Sequence, residues 1–139
     1  MLRKTGIGLT AMLAVVLTTA LVAAVSNAHF VGTPTLTSSG TTATASGKVA
    51  GLGNVEQIHV TVSGDAACIN PGSKHPKAAN KESFSAEGDF PVQNGKANFS
   101  LTLTATFQPP CSPPMTVAFT DVTVTDTTNN ISVSLSGTF

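Results

Sequence analysis

The decamer Asn98-Phe99-Ser100-Leu101-Thr102-Leu103-Thr104-Ala105-Thr106-Phe107 alternates polar and apolar residues without a break. A period of two places Phe99, Leu101, Leu103, Ala105 and Phe107 on one face and Asn98, Ser100, Thr102, Thr104 and Thr106 on the other. That is the pattern of a half-buried strand. Immediately upstream, Gln93-Asn94-Gly95-Lys96 is a hairpin turn signal, because Asn and Gly accept the positive φ that a tight turn between strands requires. Before the turn, Phe84, Ala86, Gly88, Phe90 and Val92 alternate with Ser85, Glu87 and Asp89. The pattern predicts one hairpin made of residues 83–92 and 97–107.

The same periodicity extends outward. Ile58, Val60 and Val62 alternate with His59, Thr61 and Ser63, and Ile131, Val133, Leu135 and Phe139 alternate with Ser132, Ser134 and Ser136. Between Met115 and Asp126 the parity changes, with Val117 and Phe119 odd and Val122 and Val124 even. A strand that changes face needs an extra residue, which predicts a β-bulge near Thr120-Asp121. Thr127-Thr128-Asn129-Asn130 then turns the chain. Residues 30–37 and 41–50, rich in Thr, Ser and Ala, also suit strands. About seven strands joined by short turns predict an all-β fold, a two-sheet antiparallel β-sandwich of immunoglobulin-like architecture.

This domain spans residues 29–139 and follows an export signal. Arg3 and Lys4 form a positive n-region, Ile7 to Val25 is an uncharged apolar run, and Ser26-Asn27-Ala28 offers small residues for cleavage before His29. Residues 1–28 therefore read as a signal peptide, with an uncleaved anchor as the alternative. After cleavage the expectation is a protein off the membrane, secreted or held at the cell envelope. The remainder carries five Lys and no Arg against seven acids, a formal charge of −2, with no Trp and no Tyr. A phosphate-neutralising nucleic-acid binder needs a basic face, so that class is excluded.

Cys68 and Cys111 are the two cysteines of the chain, 43 positions apart. Outside the cytosol such a pair is oxidised, and neither has the close Cys or His neighbour that a metal site needs. A bridge of this span contributes about 4 kcal/mol in the loop-entropy picture. It would staple two loops side by side. One, residues 70–82, holds Lys74, His75, Lys77 and Lys81; the other is Gln108-Pro109-Pro110-Cys111-Ser112-Pro113-Pro114. The lysines suit either loop solubility or point-charge contact with an anionic cell-wall or extracellular polymer.

Ala50-Gly51-Leu52-Gly53, Ala67-Cys68-Ile69-Asn70, Ala78-Ala79-Asn80-Lys81 and Pro109-Pro110-Cys111 together resemble a pattern in a group of small exported bacterial proteins without an assigned activity. The resemblance covers most of residues 29–139. It implies export, a bacterial source and the Cys68–Cys111 pairing, and it brings no catalytic or binding residue with it.

Motifs for catalysis are missing: no Gly-x-Ser-x-Gly, no His-Glu-x-x-His and no phosphate-cradling glycine loop. Glu87 and Asp89 share a strand face, an arrangement open to acid–base or metal work but equally to a solvated surface. Asp126, Asn129 and Asn130 could offer oxygens to Ca²⁺ or simply cap their own turn. A non-enzymatic structural, adhesive or binding role is therefore the leading expectation, with no cofactor. The alternatives are a secreted enzyme of unknown reaction and a copper site. In the latter, an N-terminal His29 would chelate Cu²⁺ through its α-amine and imidazole, with His59 favoured over His75 as the further ligand.

Overall fold

The computed structural model describes residues 27–70 and 81–139. These form eight strands in two antiparallel sheets packed face to face: β1 (His29–Phe30), β2 (Thr35–Ser39), β3 (Thr42–Ala50), β4 (Gln57–Ile69), β5 (Lys81–Pro91), β6 (Ala97–Thr104), β7 (Thr116–Asp126) and β8 (Ile131–Thr138). The expected β-sandwich is thus present, with one strand more than the periodicity predicts. The 30–37 region splits in two, because Gly32 at φ 68° and Pro34 interrupt the ladder between β1 and β2. Among the described residues no helix is long and apolar enough to cross a membrane. The signal-peptide reading falls on residues 1–28, of which 1–26 lie outside the described residues.

Strand β3 is the axis of sheet A. It pairs with β6 along one side and with β2 and then β1 along the other. Sheet B runs β5-β4-β7-β8. The core between the sheets holds Val49, Leu52, Ile58, Val60, Val62, Leu103, Phe119, Val122 and Val124, all fully buried. Burying one such branched or aromatic side chain contributes about 1.5–3 kcal/mol. The seven Phe all join or pack against this core, and Phe99 makes T-shaped contacts with Phe30 and Phe90 at 6.2 and 6.3 Å between ring centroids.

The 83–107 hairpin needs correction. Its turn is there: Asn94 and Gly95 take φ of 53° and 73°, and Gln93 and Lys96 exchange backbone hydrogen bonds of 2.8 and 3.1 Å. Beyond that single bridge the strands part, β5 pairing with β4 in sheet B and β6 with β3 in sheet A. Two causes are local. Pro91 ends β5 without a donor, and the Val92 amide is donated to the Glu56 carbonyl at 2.9 Å. The apolar faces of the two strands then meet across the core, where a Cβ on Gly88 would stand 3.3 Å from Leu101 Cδ2.

The bulge is where the parity change predicts it. Asp121 sits at φ 53°, and both β7 ladders slip by one residue there, against β4 between Ser63 and Asp65 and against β8 between Thr120 and Val122. Gly64 lies against the bulge, where a Cβ would meet Val122 Cγ2 at 2.9 Å. The extra residue turns Val117 and Phe119 to the same interior as Val122 and Val124.

Candidate functional site

Cys68 at the end of β4 is bonded to Cys111, with Cα atoms 5.7 Å apart. The bridge ties β4 to the Pro-rich 108–115 segment. Met115 Sδ lies 3.7 Å from Cys68 Sγ, and because the oxidised sulfur has no proton to donate, the contact is one of packing. Lys74, His75 and Lys77 lie outside the described residues. Lys81 stands on the outer face of sheet B, with Nζ 3.4 Å from Asp65 and 3.5 Å from Asp121. The hydrogen bond to Asp65 is the main cause that raises the Lys81 pKa. The Asp65 pKa is lowered first by the Ser83 hydroxyl, which donates to it at 2.7 Å, and then by Lys81. This lysine is neutralised from within the fold.

The two described histidines are not brought together. Phe30 points inward against Phe99, so its neighbour His29 faces out from sheet A, and its Nδ1 lies 2.8 Å from the Asn27 carbonyl. His59 alternates with the buried Ile58 and Val60 and faces out from sheet B. The two imidazoles thus lie on the outer faces of different sheets. Among the described residues no group of three His, Cys, Asp or Glu side chains is arranged to hold a metal ion.

His59 instead lies between two carboxylates, with Nδ1 2.7 Å from Asp89 and Nε2 3.2 Å from Glu87. Both ring nitrogens face acceptors, so the doubly protonated imidazolium satisfies both. The bond to Asp89, then that to Glu87, raises the His59 pKa above its ordinary 6.5. The His59 backbone is held as firmly. Its amide donates to Thr128 Oγ1 at 2.8 Å, and its carbonyl accepts from the Thr127 amide at 2.9 Å. The buried Asp126 closes that turn. It accepts from the Thr128 and Asn129 amides at 3.0 and 3.2 Å and from Asn129 Nδ2 at 2.6 Å. Turn capping therefore accounts for Asp126 and Asn129.

The outer face of sheet A carries a constellation that the sequence alone does not expose. Ladder register sets Ser39, Thr42 and Thr104 in one rank, Thr37, Thr44 and Thr102 in the next, and Thr35, Ser46 and Ser100 in a third. Nine hydroxyl side chains thus cover three strands with no charge among them. Neighbouring strands are about 4.8 Å apart and ranks about 6.7 Å apart, as β geometry dictates. Several hydroxyls bond within the array, Thr44 to Thr102 at 2.9 Å and Thr35 to Ser46 at 3.1 Å. The fourth rank is Lys48 with Asn98, and it opens into a hollow lined also by Pro91, Gln93, Asn94 and Lys96. Its lining includes two lysines and three amide-bearing residues, whose side chains supply donors suited to sugar hydroxyls and to carboxylate or phosphate oxygens.

Compared with protein-family models, curated proteins and solved structures, the chain finds no match.

Proposed function

We propose that the protein is an exported, non-catalytic binding module that works at the cell envelope or outside the cell and holds an extracellular polymer against the outer face of sheet A. One observation carries the reading: three ranks of uncharged hydroxyls end in a hollow where Lys48 and Lys96 sit among Gln93, Asn94 and Asn98. Such a surface matches a polyhydroxylated chain with scattered negative charge. Every Phe packs in or against the core and the chain has no Trp or Tyr, so sugar stacking on an aromatic platform plays no part in this reading. The contact is made by hydrogen bonds and two point charges, and salt weakens it. Export is supported by the leader-like residues 1–28 and by the disulfide, a bond that persists in oxidising compartments.

The test is to recover the protein from the culture fluid and envelope of its host and identify the polymer that co-purifies. The reading requires a glycan or other polyhydroxylated polymer that is released by salt. Recovery of the protein free of any polymer, in both fractions, would overturn it.

A further inference from the structure

Sheet A has one long edge that nothing in the described residues covers or blunts. Strand β6 pairs with β3 alone, and its eight residues, Ala97–Thr104, include no charge, no proline and no bulge. The other edges are defended in the ways that discourage edge-to-edge pairing. Edge strand β5 carries Lys81, Glu82, Glu87, Asp89 and Pro91. The β8 ladder is broken by the slip at Thr120/Val122 and has Gly137 at φ 125°. The opposite edge of sheet A is divided between the short β1 and β2.

The ladder pattern shows which backbone groups of β6 are free. The Ala105 amide bonds to the Thr41 carbonyl at 2.8 Å, in register with the β3–β6 pairing. Antiparallel pairing alternates, so the odd residues of β6 bond to β3, and the N–H and C=O groups of Asn98, Ser100, Thr102 and Thr104 point away from it. These four residues are self-complementary. An antiparallel copy of β6 related by a two-fold axis at Leu101 sets Ser100 opposite Thr102 and Asn98 opposite Thr104, each twice. All eight outward backbone groups on each copy then find partners. The same axis sets Phe99 opposite Leu103 and Leu101 opposite its own counterpart, so apolar faces apolar and hydroxyl faces hydroxyl, as a shared sheet demands. Leu101, only half-buried in one copy, becomes covered.

We propose that the protein forms a two-fold symmetric dimer in which β6 pairs antiparallel with β6 of a second copy, centred on Leu101. Sheet A then runs continuously through both copies, and its hydroxyl ranks continue across the junction. The dimer does not depend on what that face binds.

The test is sedimentation equilibrium on the protein as recovered from its host, the wild type beside the double variants S100K/T102K and S100E/T102E. Each double variant sets like charges directly opposite across the two-fold axis, at positions exposed in the single copy. The dimer should be lost in each double variant alone and return when the two are mixed, because every like-charge pair becomes an opposite-charge pair. A variant of the defended edge, S132K/S134K in β8, should stay dimeric. In the wild type, the amides of Asn98, Ser100, Thr102 and Thr104 should exchange more slowly as concentration rises, a readout independent of variant folding. A wild type that is monomeric at roughly 100 µM, well above the micromolar range of modest specific association, would overturn the proposal. So would double variants that remain dimeric, a mixture that stays monomeric, or concentration-independent exchange at those four amides.

Discussion

His59 Nδ1 stands 2.7 Å from Oδ1 of Asp89, the residue directly opposite it in the β4–β5 ladder. The pair links the edge strand β5 of sheet B to its inner neighbour β4 at a site open to solvent, with side-chain exposures of 36% and 57%. It sets a pH dependence. Folding raises the His59 pKa above 6.5, so its contribution to stability is fully present below pH 6.5 and is lost as pH rises through the folded value. NMR titration should show the His59 pKa above 6.5 in the wild type and falling towards 6.5 in Asp89→Asn. Equal pKa values in the two proteins would mean that the pair does not hold in solution.

At the other end of that face, the Ser83 hydroxyl and Lys81 lower the Asp65 pKa, so this contribution has the opposite sign. It is present above about pH 3.8, the ordinary Asp value, and is lost as pH falls through the lowered one. Ser83→Ala should raise the Asp65 pKa, read by carboxyl ¹³C shifts. An unchanged value would remove Ser83 as the main cause.

Gly64 and Val122 share one space beside the bulge. Gly64→Ala should cost about 1–3 kcal/mol by overpacking. In a Val122→Ala background the same change should cost distinctly less, because the clashing methyl is gone. Equal costs by chemical denaturation would show that the two residues do not press on each other.

Leu103 is fully buried and Leu101 half-buried on the same strand. Leu103→Ala should cost about 2–5 kcal/mol, and Leu101→Ala roughly half as much. The reverse order would mean that β6 is rotated from the face assigned to it.

The cysteine pair should yield no free thiol in the denatured, unreduced protein. Replacing both residues by Ser should lower stability by about 2–4 kcal/mol. Two thiols per chain would remove the bridge.

What the sequence reveals depends on range. Alternation along one strand identifies β4, β6 and β8 and the inward faces of Phe99, Leu103 and Val60, because that signal needs no partner. The parity switch in β7 is legible for the same reason, and it marks the Asp121 bulge. Pairing is different. The Asn94-Gly95 turn is real, but nothing in two alternating strands states whether they lie side by side or face each other across a core, and Pro91 with the Val92–Glu56 bond decides it. The hydroxyl ranks of sheet A are hidden for the same reason. Thr37, Thr44 and Thr102 come from three strands, and register alone aligns them. Glu87 and Asp89 are visible as a pair, while His59 joins them only through the β4–β5 ladder.

If the outer face of sheet A holds a polymer, the protein is retained on insoluble envelope polymer from its host, and this retention is to be measured against salt. The wild type should be retained at low salt and released as salt rises. Thr44→Glu, which puts a charge in the middle rank, and Lys48→Glu with Lys96→Glu, which reverse the hollow, should abolish retention. Asp89→Asn on the opposite face should leave it unchanged. Retention of the sheet A variants equal to that of the wild type would contradict the claim.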